Sequence, residues 1–209
     1  MAERPIIFSG EMVTALLAGR KTQTRRVIKP KLRNTHLEWR SDRLVEIQNS
    51  KEGIAFSRRN VSSCIAVEPR YKPGDILWVR ESWRLTDFEH VDNDWNASVQ
   101  YKDLTLGPRL HGLTDNERTG WRKSIYMPRA AARIFLRITD VRAERLQDVS
   151  EADIIAEGCP DEYSRGRGWF RLLWDSINTG RGYGWNKNPF VWVIAFEQID
   201  KTYGGKIHG

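Results

Sequence analysis

The stretch ARIFLRITDVRAERL (132–146) constrains the fold of this chain most strongly. Ile134, Leu136, Ile138 and, after Asp140, Val141 fall on one side, with Arg133, Arg137 and Arg142 flanking them. Alternation of this kind marks a strand with one buried face. Two further apolar runs have strand length. Ile76 to Trp83 follows the turn residues Pro73, Gly74 and Asp75, and NPFVWVIAFEQID (188–200) reads as a strand buried on both sides. Short helices lie between the strands. Ser9 is placed to cap a helix whose Met12, Val13, Leu16 and Leu17 share a face, and Gly19 ends it. Ser150 caps EADIIAEGC, with an Asp at the capping-box position and Gly158 as the stop, and Trp169 to Ile177 is periodic as a third helix. There is no βαβ rhythm and no glycine-rich phosphate loop. The pattern therefore predicts an α+β protein built on a small mixed barrel, not a doubly wound sheet.

The regions around these elements are polar. Residues 31–71 support only short strands, such as one near Leu44 to Ile47, and 86–122 holds one near Ala97 to Tyr101, so both read as insertions in a single domain spanning 1–209. With 209 residues, 40% of them hydrophobic, and 9 Trp, a substantial core is expected. Cys64 and Cys159 have no CxxC partner, and His36, His90, His111 and His208 share no ligand spacing, so neither a disulfide framework nor a metal is expected. MAERPIIF lacks a signal-peptide core and no apolar run approaches a membrane span, which predicts a cytoplasmic protein without cofactor or membrane partner. The 34 Lys and Arg against 27 Asp and Glu give a net charge of +7, which favours a polyanionic or phosphate-bearing partner.

That charge is unevenly spread. LLAGRKTQTRRVIKP (16–30) carries Arg20, Lys21, Arg25 and Arg26 around Thr22 and Thr24, and no carboxylate occurs between Glu11 and Glu38. The cluster begins at a helix C-terminus, whose dipole accounts for Arg20 and Lys21. Arg25 and Arg26 lie further on, in a segment rich in threonine and β-branched residues that reads as a strand.

These residues carry a family resemblance. Gly19, Lys21, Thr24 and Arg26 stand as G-x-K-x-x-T-x-R, similar to the G-x-K-x-x-E-x-R signature of ASCH domains, members of the PUA-like β-barrel superfamily. The Glu-to-Thr change matches the branch that hydrolyses the amide of N4-acetylcytidine with a Lys, a Thr and a Glu. KPGDILWVRESW, ITDVRAERLQDVSEADIIAEG and FVWVIAFEQI resemble later landmarks in order, leaving the two insertions uncovered. The longer architecture is similar to proteins of phages and prophages described as morphogenetic.

The resemblance implies a PUA-like barrel, with Thr24 as nucleophile, Lys21 as base and Glu157 as acid or orienting group. A lysine serves as base only with a lowered pKa; burial and the neighbouring cations act in that direction and Glu157 acts against it. Lys21 must also lie in the turn after Gly19, outside the strand, because residues three apart in a strand point to opposite faces. Arg20 and Arg26 are candidates for substrate oxygens. Arg80 and Glu81 read as a cross-barrel pair that could border the site, and Tyr126 and Arg129 as residues lining the same cleft. The bland alternative makes Lys21 and Glu157 an ion pair tying helix to barrel, Thr24 an ordinary strand residue, and Arg25 and Arg26 a solvated phosphate-binding patch. At the level of function the alternatives are a non-catalytic RNA-binding module, a nuclease, and a phage assembly factor.

Overall fold

The computed structural model of the protein describes residues 1–29, 44–50, 53–58, 64–91, 94–113, 120–160 and 166–200. The remainder of the first insertion, His36 included, and His208 lie outside them. The class is α+β, with strands predominant. Among the described residues no sheet closes into a barrel. The chain divides into two compact units, one comprising Met1–Gly19, Gly74–Arg137 and Glu197–Gly209, the other Arg20–Pro73 and Ile138–Phe196.

In the first unit, β1 (Glu3–Ile7) runs parallel to β6 (Ile76–Arg80), with Pro5 opposite Trp78. The opening residues of β10 (Phe135–Arg145) pair antiparallel with β6 on its other side, Phe135 opposite Trp78. Helix α1 (Gly10–Leu17) is capped by Ser9 and buries Met12, Val13, Ala15 and Leu16. It ends where Gly19 takes a φ of +70°, a conformation glycine adopts without strain. The apolar run from Ile76 does not continue unbroken to Trp83. It stops at Arg80 and resumes at Trp83, the first residue of β7 (Trp83–Val91). Between them Glu81 is buried against Arg133.

The second insertion is more regular than its polarity suggests. β7, β8 (Asp94–Tyr101) and β9 (Leu106–Leu113) form an antiparallel meander. Trp83 and Leu85 meet Ala97, Val99 and Tyr101 in a core completed by Met127 and Ala131. In β8 every second residue, Trp95, Ala97, Val99 and Tyr101, is apolar, and these alternate with Asp94, Asn96, Ser98 and Gln100. Tyr101 donates its hydroxyl to the Ala131 carbonyl at 2.8 Å, and burial raises its pKa.

In the second unit, β2 (Gln23–Val27) is antiparallel to β11 (Phe190–Ile199), Thr24 opposite Ile194. The local strand order is β10, β11, β2. A separate sheet holds β3 (Leu44–Ser50), β4 (Gly53–Arg58) and β5 (Cys64–Val67). Helix α2 (Glu151–Ala156) packs against both α3 (Gly166–Asn178) and β2. Its Ile154 joins Leu146, Val149, Cys159, Phe170, Trp174, Trp185, Val191 and Val193 in a core. Cys159 is buried and forms no disulfide among the described residues.

Candidate functional site

The basic segment gathers its carboxylates from β10 and α2, both within the second unit. α2 starts with a complete capping box, Ser150 accepting from the Asp153 amide at 3.1 Å while Asp153 accepts from the Ser150 backbone. It finishes in a Schellman turn. The Gly158 amide reaches the Ile155 carbonyl at 2.8 Å, the Cys159 amide reaches that of Ile154 at 3.3 Å, and Gly158 has a φ of +95°. This turn leaves Glu157 at the C-cap, pointing back toward the segment after Gly19.

Lys21 stands outside β2, in an isolated bridge opposite Glu157. The turn is held from both sides: the Thr22 amide donates to the Ala156 carbonyl at 2.8 Å, and the Thr22 carbonyl accepts from Phe196 at 2.9 Å. From this position the Lys21 amine donates to a Glu157 carboxylate oxygen and to the Glu157 carbonyl, both at 2.8 Å. Its side chain is 0% exposed and that of Glu157 is 4% exposed. Burial lowers the Lys21 pKa; Glu157 opposes that shift, and Arg26 and Arg25 add to it.

Arg25 is the centre of the cluster. Its guanidinium donates to the second Glu157 oxygen at 3.1 Å, lies 3.2 Å from Asp153 and makes bonds of 2.5 and 3.1 Å to one oxygen of Glu144. Phe170 of α3 lies against it, 5.6 Å from Cζ to the ring centroid. Asp153 also accepts from Gln23 at 3.0 Å and Arg142 at 2.8 Å. Burial pushes the Asp153 carboxyl up, but the bonds from Gln23 and Ser150 and the charge of Arg25 outweigh it and hold it well below the ordinary carboxylate range. Lys21, Arg25 and Arg142 thus meet Glu144, Asp153 and Glu157, and the charge of Arg26 also acts on Lys21 and Glu157.

The residues expected from the sequence divide into groups. Lys21 and Glu157 meet directly. Thr24 is buried at 1% exposure, and among the described residues its hydroxyl makes no hydrogen bond with the Lys21 amine. Gln23 and Arg25 reach toward α2, so strand alternation turns Thr24 and Arg26 to the opposite face of β2. Arg20 donates to the Gly158 carbonyl at 3.0 Å and so closes the helix turn that positions Glu157. Arg26 is half-buried and curls back toward the Arg25 carbonyl at 3.4 Å.

Arg80, Glu81, Tyr126 and Arg129 belong to the first unit. Arg80 and Glu81 do not pair with each other. Glu81 makes a two-point pair with Arg133 at 2.9 and 2.8 Å, because the strand break turns its carboxylate inward, while Arg80 donates to the Ile125 carbonyl at 3.0 Å. Arg129 pairs with Glu3, and Tyr126 is 72% exposed. Arg25 is likewise no part of a solvated patch, being 3% exposed.

Sequence reasoning missed Gln23, Glu144 and Asp153 as members of the cluster. One usable signal was parity: Gln23 and Arg25 are alternate residues of one strand, and alternate side chains share a face. Among the described residues no group of three or more His, Cys, Asp or Glu is placed to hold a metal ion, and no helix is long and apolar enough to cross a membrane. No family model matches this chain, and no curated protein or solved structure shows significant similarity to it.

Proposed function

We propose that the protein is an ASCH-type amidohydrolase with a PUA-like fold that removes an acyl group from a modified nucleoside such as N4-acetylcytidine. The observation that carries this reading is the buried Lys21 amine, held by Glu157 in the turn just before β2 and depressed in pKa by burial. A lysine so placed can exist as the neutral amine that a general base must be. Lys21 takes the Thr24 hydroxyl proton as the oxygen attacks the acyl carbonyl. It returns that proton to the departing nucleoside amine, and water then hydrolyses the acyl-threonine. For this, substrate binding must move the Lys21 amine, which the turn leaves outside the pleat of β2, from Glu157 across to the face of the strand that carries Thr24. Glu157 acts as the orienting group, since one of its oxygens accepts from Lys21 and the other from Arg25.

The test is the release of cytidine and acetate from N4-acetylcytidine. Thr24→Val keeps the side-chain shape and Lys21→Met keeps most of the length; each is expected to reduce turnover by about 100-fold or more. Thr24→Ser retains a hydroxyl and is expected to keep measurable activity. Wild-type turnover matched by Thr24→Val would overturn the nucleophile, and an inert wild type would overturn the reading.

A further inference from the structure

The face of β2 that carries Thr24 also presents an aromatic ring that the protein does not use. On β11, Ile194 is opposite Thr24 and Trp192 is opposite Arg26. Residues directly opposite in an antiparallel pair share a face, so Trp192 stands with Thr24 and Arg26, on the side turned away from α2. The alternate residues Val191 and Val193 lie instead in the core that α2 and α3 complete. Trp192 is therefore the diagonal neighbour of Thr24. Such pairs are about 7 to 8 Å apart, a span that an aromatic side chain bridges.

The surroundings of this ring differ from those of its neighbours. Thr24, Ile194 and Phe190, on the same face, are buried at 4% exposure or less. Trp192 is only half-buried, packed in part against the cluster of Ile28, Ala143 and Phe190. Among the described residues its ring has no aromatic or cationic partner, and its indole N–H makes no hydrogen bond. Every other described tryptophan has such a partner, as Trp78 has Arg80 and Trp174 has Phe170 and the Tyr183 carbonyl. An open indole face beside a buried hydroxyl is the complement of a flat ring, because two π systems attract in offset stacking.

We propose that Trp192 is the platform on which the substrate's ring stacks while Thr24 attacks the acyl group at the ring's edge, so that Trp192 selects amides of flat heteroaromatic amines over amides of alkyl amines. This rests on the hydrolase reading for Thr24. In such an amide the acyl carbon lies one nitrogen beyond the ring's edge, which suits a nucleophile one diagonal step away on the same face. The ring keeps its shape while the amide is attacked, so Trp192 holds ground state and transition state alike and sets KM, not kcat.

The experiment measures steady-state hydrolysis of N4-acetylcytidine, and its competitive inhibition by cytidine, for the wild type, Trp192→Leu and Trp192→Phe. Leucine keeps apolar packing against Ile28 and Phe190 but has no π face; phenylalanine keeps a smaller one. Trp192→Leu should raise both KM and the inhibition constant of cytidine by about 5- to 150-fold, the range of one base–aromatic stack, with kcat little changed. Trp192→Phe should restore most of that loss. N-acetylethanolamine, an alkyl amide, should not compete at concentrations where cytidine does.

Constants unmoved in Trp192→Leu, a loss confined to kcat, or a loss that Trp192→Phe does not restore would overturn the platform. Competition by N-acetylethanolamine as strong as cytidine's would overturn the preference for a flat ring. Equilibrium dialysis of N4-acetylcytidine against Thr24→Val, with and without Trp192→Leu, separates the two readings. Binding that depends on Trp192, in a protein whose wild type turns nothing over, would remove the hydrolase and leave the platform; turnover with KM unmoved in Trp192→Leu would do the reverse. A wild type that neither binds nor hydrolyses N4-acetylcytidine would overturn both.

Discussion

At the scale of single residues, the segment from Arg20 to Arg26 supplies the buried cations of an ion-pair cluster through Lys21 and Arg25. Breaking such a cluster costs more than its bonds contribute, because a partner stays buried without its counter-charge. Asp153 is the informative position, since it receives Gln23, Ser150, Arg25 and Arg142 together. Its native pKa is depressed, so its contribution to stability is complete above the unfolded value of about 4 and is lost as pH falls through the lower native value. Urea denaturation followed from pH 7 down to pH 2 should show this loss in the wild type. Asp153→Asn should be less stable at pH 7 by about 2 to 3 kcal/mol, and its stability should fall less steeply below pH 4. Equal acid slopes for the two proteins would remove Asp153 from this role. The carboxylate-free run after Gly19 singled out Lys21 in the sequence, and the place just before the Gly158 helix stop singled out Glu157, so their ion pair was legible. The cluster around them was not, because Glu144 and Asp153 lie more than a hundred residues from Arg25 in the chain and only the pairing of β2 with β11 and the docking of α2 bring them near.

At the scale of elements, α2 is short and depends on its two ends. Six helical residues form too few internal bonds to hold a helix alone, so caps and packing decide whether it exists. Ser150→Ala removes one side of the capping box and is expected to cost about 1 kcal/mol. Gly158→Ala forces a side chain into a left-handed backbone, at roughly 1 to 2 kcal/mol. The second change should also disturb Glu157, because the turn at Gly158 directs that side chain toward Lys21. If both variants fold, Gly158→Ala should lower turnover of the acylated nucleoside more than Ser150→Ala does at matched stability. Thermal melts and initial rates on the same samples decide it. Helix ends were readable from the sequence because Ser and Gly act through local backbone geometry, as at Ser9, Gly19, Ser150 and Gly158. The meander was harder to read. Only the strand near Ala97 to Tyr101 stood out, since β9 carries Gly107, Pro108, Arg109 and His111 between its few apolar residues. Its pairing with β8, more than its own composition, makes it a strand.

At the scale of the whole molecule, a net charge of +7 says less about binding than the location of the cations does. Lys21 and Arg25 count fully in the formal charge, yet both are buried against carboxylates and contribute little field outside the protein. Lys102 and Lys123 count the same on paper and stand in solvent. A polyanion distinguishes the two kinds directly, because only exposed cations displace its counterions. The wild type is therefore expected to bind a heparin column at low salt, and Lys102→Gln/Lys123→Gln to elute at clearly lower salt. The buried pair supplies the control. Lys21→Met/Glu157→Gln removes one charge of each sign, keeps the formal net charge, and should leave the elution point of the folded fraction where it was. An elution point that moves with the buried pair and ignores the two surface lysines would mean that the cluster around Lys21, and not the exposed lysines, is what this protein presents to anions.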